Sequence, residues 1–346
     1  MDGDLPHEQR ALTRRNLVDA VSSAPVADEA ARQEIQDRID DILRPAGAFA
    51  RLDATATHLA AWQRTARPCV QRPAALIFAA DHGVAADGVS AYPADVTAAM
   101  LAAFEASKAT VSALAAVAGA TVTAIDVGVG RPTANLRVEA ALSRQRFADA
   151  FTAGRDAVNA LDADLVILGE MGIGNTTAAA SVTAAILGGE VADYVGTGTG
   201  VDAETHAHKI DVVTEAVERI SAVDDPLEVL RHVGGAELVA IAGALTEARL
   251  RSLPVLLDGY IATAPALALH AIDPRLTAHV LAGHCSAEPG HRLQLERLER
   301  EPLLTLDLRL GEGSGAVAAI PLLQMACAAV NDVATFTEWF GAAETE

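Results

Sequence analysis

One glutamate lies between two glycines at a point where one apolar run ends and another begins. Glu312 belongs to the segment LDLRLGEGSGA (306–316), with Gly311 and Gly313 on either side. With no side-chain bulk beside it, this carboxylate can reach a ligand, and an apolar neighbour such as Leu310 would raise its pKa and make it a useful base. The alternative is a solvated glutamate at a helix start, where the helix dipole favours negative charge.

A glycine-rich turn, GEMGIGNTT (169–177), directly follows an apolar run and precedes an alanine-rich one. Gly172 and Gly174 allow the backbone to approach a ligand closely. Asn175 and the two threonines after it offer caps and hydroxyl groups at the start of the predicted helix. An anion site is one interpretation, and an ordinary glycine-rich turn with a helix cap is the other.

A second glycine-rich loop, GTGTGVD (196–202), is followed shortly by Lys209. The glycine pattern is a weak signal, because it does not follow a convincing strand as a dinucleotide-binding fingerprint requires. A dehydrogenase is disfavoured for the related reason that no strand–GxGxxG–helix unit lies near the first predicted strand. A single lysine on a helix is usually a surface residue, but Lys209 is the nearest cation to both glycine-rich loops.

Two further polar segments follow predicted strands. GHCSAEPGH (283–291) contains two histidines, a serine and a glutamate, but it lacks the GxSxG of a serine hydrolase and the HExxH of a zinc enzyme. Polar turn residues that satisfy backbone groups are the alternative. Asp81 and His82, in AADHGVAADGVSAYPADVT (79–97), could hydrogen-bond each other in a structural role.

The elements around these segments alternate between short apolar runs and alanine-rich helical stretches. This alternation predicts an α/β fold with a parallel, Rossmann-like sheet of about six strands, joined by right-handed crossovers and flanked by helices. Ligands bind beyond the carboxyl ends of such strands, so the glycine-rich turns are expected together at one edge. Residues 1–70 instead predict helices. The predicted strands are residues 74–80, 121–128, 163–169, 253–259, 278–283 and 303–310.

Composition limits the class of partner. The chain has 346 residues, a formal net charge of −20 and few aromatic side chains. A nucleic-acid partner is not indicated, because such proteins normally present a basic face. Three widely spaced cysteines form no zinc motif and predict buried thiols in a reducing, cytoplasmic compartment. The charged residues 1–20 do not predict a signal peptide. The apolar run 313–330 contains Pro321 and Gln324, so a buried core helix is expected there rather than a membrane span.

Taken together, these segments resemble one family, the nicotinate-nucleotide:5,6-dimethylbenzimidazole phosphoribosyltransferases of cobalamin lower-ligand synthesis. The resembling stretches occur in the family's order over most of residues 43–335, and several are long and unusual. They are ADHGVAADGVSAYPADVT (80–97), GEMGIGNTTAAA (169–180), GTGTGVD (196–202), GGAELVAIAGA (234–244), PVLLDGYIATAPAL (254–267), HCSAEPGH (284–291) and LDLRLGEGSGAVAAIPLLQMA (306–326).

The resemblance implies a reaction in which a benzimidazole ring nitrogen attacks the anomeric carbon of nicotinate mononucleotide with inversion. The products would be α-ribazole 5′-phosphate and nicotinate. Glu312 matches the family's catalytic glutamate and Glu170 a second active-site carboxylate, and neither a cofactor nor a metal is implied. Lys209 would lie near the donor phosphate, and Met171 with Leu310 would line the flat base pocket. The residues implied to bind substrates are Ser90, Met171, Gly172, Ile173, Gly174, Asn175, Thr176, Lys209, Ser286, Leu310, Gly311 and Gly313.

The resemblance also implies an architecture. A large α/β nucleotide-binding catalytic domain would span residues 71–330. A small helical domain would combine residues 1–70 with 331–346, and the protein would form a homodimer.

Three departures from the family pattern bear on function. Ala98 and Ala99 stand where the family usually has a glutamine near the acceptor base, Thr197 replaces an arginine, and the N-terminal PPGSLGRLE pattern reads RPAGAFARLD (44–53). The first leaves open an acceptor other than dimethylbenzimidazole: another azole, a purine or a phenolic compound. A non-catalytic nucleotide-binding regulator on the same fold is a further alternative, disfavoured because Glu312 is retained.

Overall fold

A computed structural model describes residues 12–341 of the chain. Its six strands form one parallel sheet in the order β2-β1-β3-β4-β5-β6. The central strands are buried on both faces, which is why they read as continuous apolar runs rather than alternating ones. The predicted parallel sheet of about six strands is confirmed. The strands are β1 (Pro73–Ala80), β2 (Thr121–Gly128), β3 (Leu165–Met171), β4 (Val255–Leu257), β5 (Val280–His284) and β6 (Pro302–Leu304).

Helices cover both faces of this sheet. Alternate residues of β1 point into opposite layers: Leu76 and Phe78 pack in the larger core, while Ala75 and Ile77 pack in a second core with Ile320. The helices are α1 (Arg14–Ser23), α2 (Glu29–Asp41), α3 (Ala50–Gln63), α4 (Val96–Glu105), α5 (Thr110–Ala118), α6 (Arg144–Asn159), α7 (Asn175–Leu187), α8 (Ala203–Arg219), α9 (Pro226–Val233), α10 (Ala236–Leu250), α11 (Tyr260–Ile272), α12 (Pro289–Arg297), α13 (Ser314–Asn331) and α14 (Phe336–Phe340).

Helices from the two ends of the chain pack together. Ile42 pairs with Thr335 in an isolated antiparallel bridge, and Arg38 lies 2.7 Å from Glu338. Helix α1, however, packs in the larger core through Leu17 and Val21. The division into residues 1–70 plus 331–346 and residues 71–330 therefore stays a prediction, and its terminal residues 1–11 and 342–346 lie outside the described residues.

The strand predicted over residues 303–310 is wrong beyond Leu304. Residues 305–313 form a loop, in which Asp307 adopts a left-handed backbone with φ 54° that no strand tolerates. The alternating leucines of this stretch do not mark a buried face, because Leu306 and Leu310 are 59% and 56% exposed. The leucines at every second position therefore belong to a loop that crosses the edge of the sheet and not to a strand.

Two apolar stretches, Val96–Ala118 and Ser314–Asn331, are long and apolar enough to cross a membrane by length and composition alone. The first is two helices, α4 and α5, separated at Ser107, whose φ is 56°. The second is α13, which packs into the core against the sheet through residues such as Val317 and Leu323. The core helix predicted over 313–330 is therefore present.

Candidate active site

Four buried carboxylates meet at the carboxyl edge of the sheet. Glu170 lies near the end of β3, Asp258 directly follows β4, Glu237 lies in the first turn of α10, and Glu312 lies two residues before α13. Each is at most 5% exposed. Because a buried, unpaired carboxylate is costly, such a cluster is stable only if its members are hydrogen-bonded or hold protons.

Glu312 has a left-handed backbone, φ 64°, between two glycines whose φ values are 84° and 81°. Its backbone lies over β3 so closely that a β-carbon built on Gly169 would come within 2.6 Å of the Glu312 carbonyl. The side-chain Oε2 is buried without a hydrogen-bond partner. Burial raises the Glu312 pKa, a hydrogen bond from the Val111 backbone opposes this, and the Asp258 charge adds to the rise. A carboxylate of this kind is suited to accept a proton.

Asp258 fixes the segment that carries Glu312. Its two oxygens accept hydrogen bonds from the backbone N–H of Gly313 at 3.1 Å and of Ala316 at 2.8 Å. It thereby caps the first turn of α13, whose N-cap glycine has no side chain to do so. Asp258 is not among the residues predicted for the site, although an acidic residue directly after a buried strand, in LLDG, is a recognisable signal.

Glu170 contacts the same loop from β3. The Asn175 side-chain amide donates a hydrogen bond to its Oε2, and a β-carbon built on Gly311 would lie 2.5 Å from its Oε1. Burial raises the pKa of Glu170 well above its usual range, and the charges of Glu237, Asp258 and Glu312 raise it further. The two predicted carboxylates therefore lie in one site.

The turn after β3 places backbone groups beside these carboxylates. A β-carbon on Gly172 would lie 2.5 Å from the Ala80 carbonyl, so only glycine fits where the turn crosses β1. The Ile173 amide donates to the fully buried Thr97 hydroxyl at 3.2 Å. Gly174, with φ 97°, is the N-cap of α7 and offers no side-chain cap. The start of α7, with its helix dipole and free backbone amides, is therefore suited to bind an anion.

Lys209 is buried beside the start of α7. Its ammonium donates to the Thr176 hydroxyl at 2.8 Å and to the Gly196 carbonyl at 3.2 Å, which leaves one N–H for a ligand. Burial lowers the Lys209 pKa to about 8, and the neighbouring Glu288 carboxylate opposes that shift. The structure therefore joins the two glycine-rich loops through the lysine that the sequence singled out.

Glu288 also contacts loop 196–202. Its Oε1 accepts a hydrogen bond from the Gly198 amide at 3.0 Å, and its Oε2 is buried without a partner. Arg309 donates to the Gly198 carbonyl at 3.1 Å, so the loop that carries Glu312 also contacts loop 196–202. Thr197, at the family's usual arginine position, is exposed.

Ser286 is held by a histidine rather than activated by one. Its backbone N–H donates to His291 Nδ1 at 2.8 Å, and His291 Nε2 lies 3.1 Å from the Thr263 hydroxyl. The Thr263 hydroxyl itself donates to the Gly259 carbonyl, so His291 Nε2 carries the proton. Burial lowers the His291 pKa to about 3, which keeps the ring neutral. A Ser–His hydrolase arrangement is therefore absent from residues 283–291.

The remaining predicted residues differ in how far they are exposed. The Ser90 hydroxyl lies 3.2 Å from the Thr199 hydroxyl, which connects the segment after β1 to loop 196–202. Met171 is half-buried in the second core, and Leu310 is exposed. Ala98 and Ala99 are exposed on the first turn of α4, next to the buried Thr97. Within residues 12–341, no cluster of three His, Cys, Asp or Glu side chains could hold a metal ion.

Comparison with known proteins places this geometry in a family. The family described as "Phosphoribosyltransferase" matches residues 24–339. The nicotinate-nucleotide–dimethylbenzimidazole phosphoribosyltransferase of Methylorubrum extorquens is 44% identical over 92% of this chain and 93% of its own length. The protein of that name from Novosphingobium aromaticivorans is 45% identical over 92% of this chain and 94% of its own.

A solved structure agrees with the sequence relatives. The crystal structure of CobT from Thermus thermophilus superposes with a TM-score of 0.86 at 42% identity, covering 91% of this chain and all of the other. The matches extend across the carboxylate cluster and both glycine-rich loops. The chain belongs to the nicotinate-nucleotide:dimethylbenzimidazole phosphoribosyltransferase family.

Proposed function

We propose that this protein transfers the phosphoribosyl group of nicotinate mononucleotide to 5,6-dimethylbenzimidazole, giving α-ribazole 5′-phosphate and nicotinate for the nucleotide loop of cobalamin. The substrates are those in the names of its relatives. The observation that carries the proposal is Glu312, a buried carboxylate whose free Oε2 and raised pKa suit proton transfer from an azole.

The reaction needs one general base for the acceptor and no general acid for the leaving group. An acceptor ring nitrogen forms a bond to the anomeric carbon from the side opposite the leaving group, and the bond from that carbon to the pyridinium nitrogen breaks. The electron pair of the broken bond stays on the leaving nitrogen and neutralises it, so no proton has to be supplied to the nicotinate ring. The N–H proton of the acceptor passes to Glu312 Oε2.

The donor phosphate has a suitable place at the start of α7. Lys209 and Thr176 already hydrogen-bond each other there, and the unused ammonium N–H is available for a phosphate oxygen. The amides of turn 172–176 and the dipole of α7 would add favourable interactions. Ser286 is close through its contact with Glu288, and Ser90 lies across loop 196–202.

The acceptor pocket would lie beside the carboxylates Glu170 and Glu312. Met171 and the segment Leu310–Gly313 flank Glu170 and Glu312. Small side chains at Ala98 and Ala99 offer no amide to hydrogen-bond the acceptor. This favours recognition of the acceptor by shape and by the carboxylates, and it keeps another azole, a purine or a phenolic compound as the second candidate.

We also propose that the protein is a homodimer. Most residues of the apolar segment Val96–Ala118 are not buried, and Val117 within it is 85% exposed. Exposed apolar side chains grouped on one surface are typical of an interface between chains.

Turnover of nicotinate mononucleotide with a panel of bases tests the proposal. The wild-type protein should release nicotinate with dimethylbenzimidazole and form the α-anomer. Glu312→Gln should lower kcat by about 100-fold to 10,000-fold, the usual contribution of a general base, while donor affinity is kept. Glu301→Gln, a variant of a glutamate whose side chain is 82% exposed, is the matched control and should be fully active.

Three results would separate the alternatives. Product with another base but none with dimethylbenzimidazole would show that the acceptor is not dimethylbenzimidazole. Donor binding without turnover of any base would favour a regulator. Undiminished turnover of Glu312→Gln would remove this residue from the role of base.

A further inference from the structure

Loop 196–202 buries two of its glycines and exposes its threonines. Gly196 and Gly198 are buried, and the threonines that alternate with them are exposed. Side chains from three other segments hold this buried backbone: Lys209 from α8, Glu288 at the start of α12, and Arg309 before α13. Glu288 is the acidic member of the three, and neither the proton transfer nor the phosphate site proposed above gives it a part.

The Glu288 side chain does not serve the helix that it begins. Glu288 is the N-cap residue of α12, a position at which a side-chain oxygen commonly accepts a hydrogen bond from the first turn of the helix. Its carboxylate forms no such cap; it is buried and reaches loop 196–202 instead. Because burying a carboxylate is costly, this contact calls for a reason other than the stability of α12.

The two oxygens of Glu288 contact the two buried glycines. Oε1 accepts a hydrogen bond from the Gly198 amide at 3.0 Å. Oε2 is buried without a hydrogen-bond partner and lies against Gly196, where a β-carbon would come within 2.0 Å of it and 2.9 Å of Pro289 Cδ. Gly196 does not have a positive φ, so the close approach of Glu288 and Pro289 is what requires glycine here.

The Lys209 ammonium contacts the same two glycines. It donates to the Gly196 carbonyl at 3.2 Å, and a β-carbon built on Gly198 would lie 3.0 Å from it. That β-carbon would also lie 3.0 Å from the Thr176 hydroxyl, the other partner of the ammonium. Each glycine therefore touches both the Glu288 carboxylate and the Lys209 ammonium, and the loop backbone connects the two charged groups.

The main chain of Glu288 contacts a second residue assigned to the donor. Its N–H donates to the Ser286 hydroxyl at 3.3 Å. Glu288 thus adjoins Ser286 through its backbone and Lys209 through the loop, and both of those residues are proposed to lie near the phosphate.

We infer that Glu288 is a positioning residue for the donor phosphate, because it fixes Gly196 and Gly198 and thereby holds the Lys209 ammonium beside Thr176. This inference rests on the proposed function, which puts the phosphate at Lys209. Glu288 acts through the loop and does not contact the phosphate, which a carboxylate would repel. Without Glu288, the loop has to be ordered when the donor binds, and that ordering lowers donor affinity.

Titration calorimetry with nicotinate mononucleotide measures this effect. Glu288→Ala removes both contacts and should raise donor Kd by about tenfold, the effect of losing one hydrogen bond to a charged group. The kcat at saturating donor should stay within about twofold, because the carboxylates beside the acceptor are unchanged. Glu296→Ala is the matched control, since Glu296 is an exposed glutamate of the same helix, and it should keep the wild-type Kd.

Gly196→Ala tests the contact without altering Glu288, and it remains informative if Glu288→Ala does not fold. The added β-carbon displaces the carboxylate, so donor Kd should rise as it does in Glu288→Ala. Combining the two substitutions should weaken binding no further, because both remove the same contact. A wild-type Kd in Gly196→Ala or in folded Glu288→Ala would overturn the inference.

The Lys209→Met background separates positioning from a purely structural role. If Glu288 acts through the ammonium, Glu288→Ala should have little further effect on donor Kd once Lys209 is methionine. A structural role would instead lower kcat and stability in urea together with affinity, and its loss would add in full to that of Lys209→Met; this outcome would overturn the inference. Wild-type protein that binds the donor with a Glu288-dependent Kd but forms no product with any base would reject the proposed transferase and keep the positioning role.

Discussion

Replacing Lys209 with methionine separates a binding role from a structural one. The lysine is 1% exposed, and its ammonium contacts Thr176 and Gly196 at 2.8 and 3.2 Å. Methionine keeps most of the length and the apolar stem and removes only the charge and the donors. If the ammonium holds the donor phosphate, the variant should lose about 1.5–3 kcal/mol of donor binding, the value of a hydrogen bond to a charged group. Donor Kd should then rise by about 10-fold to 150-fold.

The free energy of unfolding should respond differently. Burial lowers the Lys209 pKa from 10.5 to about 8, so the folded protein disfavours the ammonium at neutral pH. That shift lowers the free energy of unfolding of the wild type by at most about 3 kcal/mol below pH 8. The lost stability returns as the pH rises from 8 toward 10.5, because the unfolded chain then also loses the proton. The variant is free of this cost but forgoes two hydrogen bonds from a charged donor, each worth about 1.5 kcal/mol or more. The two effects oppose each other, so the stability of the variant at pH 7 should lie close to that of the wild type.

Isothermal titration with nicotinate mononucleotide and urea unfolding measure the two quantities. Wild-type donor affinity should fall as the pH rises through 8, while the affinity of Lys209→Met should stay low and flat. Lys108→Met is the matched control, because Lys108 is the only other lysine of the chain and is exposed. Wild-type affinity in Lys209→Met would refute the phosphate assignment, and a parallel loss of affinity and stability would show that the lysine is structural.

Two further predictions concern the segment before α13 and the assembly of the chain. In Asp258→Asn only one side-chain oxygen remains to accept from the two amides, so thermal unfolding should show a loss of about 1–3 kcal/mol of stability. Loss of the Asp258 charge should also lower the Glu312 pKa and extend activity to lower pH. An acid limb of the activity profile that stays in place would contradict this role of Asp258. Light scattering at micromolar concentration should give twice the mass of the chain, and a monomer would reject the proposed homodimer.

Much of the fold follows from local sequence pattern. Runs such as AALIFAA are apolar throughout because β1 is covered on both faces, and a six-stranded parallel sheet follows from their alternation with helices. Gly172, Thr176 and Lys209 could be singled out because glycine and a lone cation carry recognisable chemistry.

The residues that sequence missed act through partners far along the chain. Glu237 opens α10 as an ordinary N-terminal glutamate, and its contact with His82, 155 positions away, is a consequence of how α10 packs on the sheet. Thr97 is similar, since its buried hydroxyl accepts a hydrogen bond from the amide of Ile173, 76 positions away. Neither residue differs in type or spacing from a surface residue, so no local signal distinguishes it.

The wrong strand at 303–310 explains why Glu312 is in the site. β6 is the edge of the sheet, and β5 and β4 separate it from β3 and Glu170. Three strand spacings amount to about 14 Å, which a chain continuing straight out of β6 would not cross. Residues 305–313 instead run back over the strand ends, where the Ala287 amide binds the Leu308 carbonyl and the Glu312 backbone reaches Gly169. A strand to residue 310 would leave Glu312 beyond the edge, so the loop found in place of the predicted strand is what brings Glu312 beside Glu170.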